Sequence, residues 1–399
     1  MDYINVPLHQ EISVTGLIYD LGSLYDSLTR VTDQRKVRGK QYALETLLIL
    51  ILLAKLAGQH KPSAIADWVA HRAKQLQQMH VLERKKAPSH MTYRRVLASS
   101  VSVEELEQLV SAYQQSGLEH GQELLLSMDG KTLRGTIPAG ETRGVHLLAV
   151  FVPQQGIVLV QAQVDGRQNE ISVAPKLLQQ VSLEGTIVLG DALHTQRDIS
   201  QQIVDAGGDF IWKVKGNQAK TEWAIEKLFV QEVCQLQKGQ PLSKHCQMAQ
   251  TVEKGHGRIT KRILLTSTLL NDYLDWPAVA QVFRLETITR FPDGNQLRQV
   301  VYGLTSLSAA EARPARLLRL IRQYWGIESG LHYRRDVILR EDATRLTSGS
   351  AGQTMAILNN LVTHLALSHG ERNLAHALRR FDAHPEQALQ RISSASATL

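Results

Sequence analysis

The sequence contains very little cysteine. Its 399 residues include only two, Cys234 and Cys246, which stand twelve positions apart and form no CxxC motif. Zinc ribbons, iron–sulfur clusters and disulfide scaffolds all need more cysteines at closer spacing, so these classes are excluded. The same scarcity leads us to expect a cytoplasmic, reducing compartment.

Long apolar runs are also missing. The longest, LLILILLA at 47–54, has eight residues, whereas a membrane-spanning helix needs roughly 20. The run therefore predicts a buried core helix. The first ten residues, MDYINVPLHQ, have no positive segment followed by an apolar core, so no secretory signal is expected.

What the chain does have is a modest excess of positive charge. It carries 45 Lys+Arg against 38 Asp+Glu, a net charge of +7, which is compatible with a nucleic-acid partner without requiring one. The placement of the charges is more informative. The segments 32–40 (TDQRKVRGK) and 82–88 (LERKKAP) are basic connections between helical stretches.

The hydrophobic periodicity changes along the chain. Residues 1–120 have helical spacing and predict a helical N-terminal domain for DNA-end binding or dimerisation. Residues 121–216 contain short apolar strands, a hairpin and alternating helices, which predict a mixed α/β sheet. Residues 217–310 predict an inserted, mainly β segment, and residues 311–399 return to helical spacing.

Two of the predicted strands end in a carboxylate. Asp129 follows LLLSM, and Asp191 follows TIVLG. Ligands bind at the carboxyl ends of strands in open α/β sheets, and the two side chains converge if their strands are neighbours. Two converging carboxylates suit Mg²⁺, which prefers hard oxygen ligands and keeps several waters. The alternative is that each Asp is an ordinary turn residue.

A third carboxylate, Glu328, lies in RQYWGIESGLHYRRD, a stretch rich in arginine and aromatic residues. Between Glu311 and Arg345 there are eight arginines against five acidic residues. The guanidinium fork suits phosphate oxygens, and interleaved aromatic rings can stack on bases. Glu328 could therefore hold a metal beside a phosphate backbone, or it could be a surface residue paired with arginine.

At these residues the sequence resembles the DDE transposases of bacterial insertion sequences, in the ISAs-type branch that includes the H-repeat-associated proteins. The resemblance covers roughly residues 30–370, with the motifs in the expected order. The matching segments are DQRKVRGKQYAL (33–44), AGQHKPSAIADW (57–68), MDGKTLRG (128–135), GDALHTQ (190–196), VKGNQ (214–218) and YWGIESGLHYRRDVILRED (324–342).

The resemblance implies an RNase H-like catalytic core with an inserted β segment, preceded by an all-helical domain. It implies that Asp129, Asp191 and Glu328 form a catalytic, metal-binding triad. Two Mg²⁺ ions per site, for which Mn²⁺ should substitute, would support cleavage of transposon-end DNA and transfer of its 3′-hydroxyl to target DNA.

Further residues are predicted to contact DNA because they are basic, polar or aromatic and lie near these motifs or in the basic N-terminal connections. They are Lys131, Arg134, His194, Lys215, Asn217, Gln218, His256, Arg258, Arg319, Arg322, Tyr324, Trp325, Arg334, Arg335, Arg35, Lys36, Arg38, Lys40, Arg94 and Arg95. Asp336 could be a fourth carboxylate near the metals or, as we favour, the partner of an arginine.

Two other functions stay open at this level. An RNase H-like host nuclease would share the triad but would not recognise terminal inverted repeats. A domesticated transposase derivative would bind DNA without cutting it. For a transposase, we expect a homodimer that pairs two DNA ends, located with the bacterial nucleoid and not in a membrane.

Overall fold

The computed structural model of the chain describes residues 9–38, 40–118, 123–165, 169–255, 257–324, 328–367, 371 and 373–395, without the side chains of residues 328 and 329. The strands are β1 (Gln10–Ile12), β2 (Ile18–Asp20), β3 (Leu124–Thr132), β4 (His146–Val152), β5 (Ile157–Gln163), β6 (Thr186–Gly190), β7 (Asp209–Val214), β8 (Cys246–Gly255), β9 (Arg258–Ser267), β10 (Gln281–Arg290) and β11 (Gln296–Thr305). The helices are α1 (Leu24–Thr29), α2 (Leu44–Leu56), α3 (Pro62–His71), α4 (Ala73–Gln78), α5 (His90–Arg95), α6 (Val103–Ser116), α7 (Glu170–Leu178), α8 (Arg197–Asp205), α9 (Ala219–Gln237), α10 (Pro314–Tyr324), α11 (Ala351–Leu367), α12 (Leu374–Ala383) and α13 (Pro385–Ser393).

Local sequence signals account for several of these helices. The hydroxyl of Ser102 accepts a hydrogen bond from the backbone N–H of Glu105 and caps α6. Asn169 caps α7 in the same way, through the N–H of Ser172. Such caps satisfy backbone donors that the first helical turn leaves free. Helix α2 is apolar and buried on all sides, as the run of leucine and isoleucine predicted.

The main sheet has nine strands in the order β5-β4-β3-β6-β7-β11-β10-β9-β8. Strands β3, β6 and β7 are parallel to one another, and all the other neighbouring pairs are antiparallel. Taken in chain order, the first five strands of this sheet are arranged third, second, first, fourth, fifth. The mixed α/β class and the RNase H-like core predicted from the sequence are confirmed.

The predicted β-rich segment extends this same sheet. Strand β11 pairs antiparallel with β7, where Tyr302 lies opposite Val214 and Thr305 opposite Ile211. Strands β10, β9 and β8 then follow outward. Strand β8, like β9, β10 and β11, lies within the segment 217–310 that the sequence predicted to be mainly β. The boundaries at residues 120, 216 and 310 remain predictions.

Apolar side chains cover both faces of the sheet. One face packs against α7, α8 and α9, and the other packs against α10. A third core joins the N-terminal helices to α11, α12 and α13, so that Leu50 and Leu361 belong to one buried cluster. The helical N-terminal region is therefore confirmed, with a short β1–β2 hairpin added to it.

Candidate active site

Asp129 and Asp191 lie beside each other where β6 ends, although β3 continues past Asp129 to Thr132 instead of ending at the carboxylate as predicted. Strands β3 and β6 are parallel neighbours, and Met128 is paired with Gly190. Each aspartate is the next residue after this pair, so the register brings the backbones of the two aspartates side by side. Both strands are held by buried apolar residues up to this point. The edge is the position at which α/β sheets bind ligands.

The helical segment that follows α10 contacts this edge. Nε2 of His332 lies 3.0 Å from Oδ2 of Asp129, and both side chains are largely buried. His332 ends the π-helical turn Glu328–His332, and such turns are frequent at functional sites. The backbone of Glu328 is thus one turn away from a residue that touches Asp129. The side chain of Glu328 lies outside the described part of the structure.

Asp191 caps a short 3-10 turn. Its Oδ1 accepts a hydrogen bond from the N–H of Leu193 at 2.9 Å, and its side chain is 49% exposed. The turn is tied to the loop after β7. Asn217 donates to the carbonyl of Ala192, and Gln218 donates to the carbonyl of Thr195 at 3.0 Å. Asn217 and Gln218, predicted to contact DNA, therefore support the turn that carries Asp191.

The two aspartates offer the oxygen ligands that Mg²⁺ prefers. Asp191 is open to solvent, and Asp129 is partly accessible, so the pair fits a metal bound at the edge of the sheet. Among the described side chains, no three His, Cys, Asp or Glu residues form a group that could hold a metal ion. The remaining ligand of the predicted triad, Glu328, is the one whose side chain is not described.

A further carboxylate near these two aspartates, Glu170, was not singled out from the sequence. It begins α7 and is contacted by two histidines, His146 at 2.8 Å and His194 at 3.1 Å. Burial raises the pKa of Glu170, but the hydrogen bond with His146 and the nearby ring of His194 outweigh it and lower the pKa to about 2. His194, predicted to contact DNA, is completely buried. The sequence signal that could have identified Glu170 is the polar segment QNEI, which follows an apolar strand.

Two more of the predicted DNA contacts, Lys131 and Arg335, lie in the interior, which corrects their prediction as phosphate contacts. Lys131 is 9% exposed and pairs with Asp336, with Glu341 at 3.4 Å and with Asp342 at 3.6 Å. Arg335 is 1% exposed, and its Nε lies 2.8 Å from Glu341. Buried cations bound to carboxylates are not available to phosphates. The partner of Asp336 is thus Lys131 rather than an arginine.

The other basic residues near the core differ in exposure. Lys215, Arg258 and Arg319 are exposed, and the side chain of Arg134 is 79% exposed although it approaches Asp342. Arg334 is half-buried beside the turn at Gly156, with no carboxylate at ion-pair distance in the part of the chain that is described. These side chains remain available as phosphate contacts.

Two further predicted contacts from α10 already have protein partners. Arg322 pairs with Glu253 of β8. Tyr324 is buried, and Nζ of Lys213 lies 4.3 Å from the centre of its ring. The predictions for His256 and Trp325 fall outside the described residues.

The basic N-terminal segment contains both paired and unpaired cations. Arg35 and Lys40 both bind Asp33, at 2.8 and 3.0 Å, and the pKa of Asp33 is lowered, chiefly by the hydrogen bond from Arg35. Lys36 and Arg38 are exposed and have no carboxylate partner among the described residues. The last turn of α5 adds two exposed arginines, Arg94 and Arg95.

Within the described parts of the chain, no helix is both long and apolar enough to cross a bilayer.

Comparisons with known proteins agree with this geometry. A family model described as "Transposase DDE domain" matches residues 120–365, and one described as "DDE_Tnp_1-associated" matches residues 25–114. The candidate transposase YncI of Escherichia coli O157:H7 is 27% identical over 353 residues, covering 86% of this chain and 87% of YncI. The candidate H repeat-associated transposase YhhI of E. coli K12 is 24% identical over 356 residues, covering 87% of this chain and 90% of YhhI.

Among solved structures, the piggyBac transposase synaptic complex with hairpin DNA aligns with a TM-score of 0.42 at 10% identity, covering 94% of this chain and 80% of that one. A likeness of this size does not establish a shared fold, so the assignment rests on the sequence matches. The DDE-domain model alone spans more than half of the chain. The chain therefore belongs to the family of DDE-domain transposases, in the branch of the H repeat-associated proteins.

Proposed function

We propose that this protein cleaves DNA at transposon ends and joins the freed 3′-hydroxyl to target DNA, with Mg²⁺ as cofactor and Mn²⁺ as a substitute. The observation that supports this best is the placement of Asp129 and Asp191 directly after a paired position on adjacent parallel strands. The contact between His332 and Asp129 brings the backbone of Glu328 to the same edge.

Asp129, Asp191 and Glu328 would hold the metal. Two bound Mg²⁺ ions would lower the pKa of water or of a 3′-hydroxyl and stabilise the leaving oxygen in phosphodiester exchange. The protein's own share of catalysis is then mainly positioning. His332 orients the Asp129 carboxylate, while Asn217 and Gln218 fix the turn that presents Asp191.

Exposed basic side chains would bind the DNA backbone. Those near the core are Arg134, Lys215, Arg258 and Arg319, and those in the N-terminal region are Lys36, Arg38, Arg94 and Arg95. Arginine and lysine at exposed positions neutralise phosphates without reading sequence. Because transposition joins two ends, we infer that a homodimer assembles on paired ends and acts at the nucleoid.

A cleavage assay tests the proposal. The substrate is a duplex carrying the inverted repeats that flank the coding region, and the control duplex has the repeats scrambled. We expect Mg²⁺-dependent cleavage at the repeat ends and strand transfer into a plasmid. Asp129→Asn, Asp191→Asn and Glu328→Gln should each abolish both reactions while the affinity for end DNA is retained in a gel-shift assay. Asp205→Asn, an exposed change on α8, should have no effect.

The same assay separates the alternatives. A host nuclease would cut both duplexes equally and transfer no strand. A DNA-binding derivative without activity would shift the end duplex but leave it intact in the presence of Mg²⁺ or Mn²⁺. Cleavage by Asp129→Asn at the wild-type rate would overturn the assignment of the site.

A further inference from the structure

Glu170 links two segments that carry the proposed metal ligands. Its Oε1 lies 2.8 Å from Nε2 of His146 at the start of β4, the strand paired with β3. Its Oε2 lies 3.1 Å from Nε2 of His194, which closes the turn that begins at Asp191. A hydroxyl of β3 extends the chain of contacts, since Oγ1 of Thr132 is 2.9 Å from Nδ1 of His146.

The carboxylate of Glu170 also lies directly against β3. A Cβ at Gly130, the residue after Asp129, would overlap the Glu170 carboxylate. Glycine is therefore required at position 130 for this close approach. A flexible side chain could normally move aside, but Glu170 is 16% exposed and is held by two histidines. Its displacement would break those contacts.

Glu170 acts from the back of the sheet. Successive residues of a strand point to opposite faces, and Met128 packs in the core against α7, so Gly130 faces α7 as well. Asp129 points to the other face, where it meets His332. Glu170 is thus separated from the Asp129 carboxylate by the strand itself and is not placed to bind the same metal.

The charge of Glu170 is maintained by its partners. The hydrogen bond with His146 and the close approach of His194 outweigh burial and keep the pKa of Glu170 at about 2. The carboxylate is therefore ionised at neutral pH and accepts from His146 through one oxygen while the other faces the ring of His194. An ionised acceptor forms stronger hydrogen bonds than a neutral one.

We propose that Glu170 is a positioning residue that fixes the Asp191–His194 turn relative to the β3–β4 pair, and so sets the spacing of Asp129 and Asp191. This role rests on the proposed function, because the spacing matters only if the two aspartates share metal ions. Partners that orient metal ligands in this way are worth about 10- to 100-fold in activity or metal affinity.

The test combines three variants with two measurements. Glu170→Ala should lower the end-cleavage kcat by about 10- to 100-fold with an unchanged KM for DNA, and it should speed hydrogen exchange in the peptide covering residues 191–195. Glu170→Gln, which keeps one acceptor, should fall between Glu170→Ala and the wild type. Gly130→Ala should reproduce the loss by displacing the carboxylate, and it should add nothing when combined with Glu170→Ala.

A matched control exists in α13. Glu386 is also a first-turn glutamate beside a histidine, His384 at 3.3 Å, but it is exposed and distant in sequence from both aspartates. Glu386→Ala should leave kcat and the exchange at 191–195 unchanged. Equal exchange at 191–195 in the wild type and in Glu170→Ala would overturn the proposal. The exchange measurement needs no DNA or metal, so it decides the role of Glu170 even if the wild type fails to cleave and the proposed function falls.

Discussion

Nε2 of His332 lies 3.0 Å from Oδ2 of Asp129 across 203 residues of sequence. The contact joins the first strand of the core sheet to the helical segment that contains Glu328. Nδ1 of His332 is buried and has no hydrogen-bond partner in the described part of the chain. The orientation of the ring therefore depends on Asp129, and that of the carboxylate on His332.

Loss of this contact should impair catalysis more than DNA binding. We expect His332→Ala to lower the cleavage rate by about 10- to 100-fold, because an oriented carboxylate loses its partner. His332→Gln keeps a donor and should lose less. Rates are measured on end DNA at saturating Mg²⁺, with affinity from gel shifts. His376→Ala, which removes an exposed histidine of α12, is the control, and an equal loss in it would contradict the prediction.

Substitution of the buried Lys131 should lower the free energy of unfolding, whereas substitution of the exposed Arg134 should leave it almost unchanged. Lys131 is buried and lies near three carboxylates, of which Glu341 is also buried, and breaking a buried pair costs about 3–5 kcal/mol. Lys131→Met should lower the free energy of unfolding by that order in urea titrations. Arg134→Ala, at a largely exposed side chain, should change it by less than about 0.5 kcal/mol. Similar small effects of both variants would show that Lys131 is not held as the structure indicates.

Replacing Lys55 by an apolar residue should raise the free energy of unfolding by an amount that depends on pH. The Lys55 amine is fully buried on α2, and burial lowers its pKa from 10.5 to about 8, against a smaller opposing effect of Glu341. Below pH 8 the charged amine therefore costs about 3 kcal/mol in the folded state. The amine loses its proton at a lower pH in the folded protein than in the unfolded chain. The cost therefore disappears as the pH rises from 8 towards 10.5.

Lys55→Met should accordingly be more stable than the wild type at pH 7, by up to about 3 kcal/mol. The difference should shrink at pH 9.5. Urea unfolding at the two pH values measures it, with the exposed Lys74→Met as control. A variant that is less stable at pH 7, or a difference that grows with pH, would contradict the sign of this argument.

The sequence predicted the centre of the core because its signals there are local. The apolar runs before Asp129 and Asp191 marked two buried strands, although only β6 ends at its carboxylate and β3 continues to Thr132. The hairpin of β4 and β5 followed from a short PQQG connection. The two aspartates can converge only if β3 and β6 are neighbours, and in the structure these strands are paired.

The remaining features depend on contacts between distant segments, which leave no trace in periodicity. Lys131 meets Glu341 across 210 positions, so a basic loop and a buried ion pair look alike in sequence. Glu170 lies in a polar stretch typical of a helix start, and only the fold brings His146 and His194 to it. The sequence of β8 shows only weak alternation of apolar and polar residues, because β8 is an edge strand that is exposed along much of its length.

The exposed cations of the N-terminal region allow an experiment that distinguishes its two proposed roles, DNA-end binding and dimerisation. Lys36 and Arg38 have no carboxylate partner among the described residues, whereas Arg35 and Lys40 are held by Asp33. Each phosphate contact contributes about 0.9 to the slope of log K against log salt. If the region binds transposon ends, Lys36→Gln combined with Arg38→Gln should reduce that slope by up to about 2.

The matched control removes the same charge from another exposed surface of the helical region, through Lys61→Gln combined with Lys74→Gln. Binding is measured by fluorescence anisotropy on end DNA from low to moderate salt. A smaller slope in the first double variant alone would favour end binding through the 36–38 segment. Equal slopes in both variants and the wild type would mean that this segment does not contact phosphate, and would favour dimerisation as the role of the N-terminal helices.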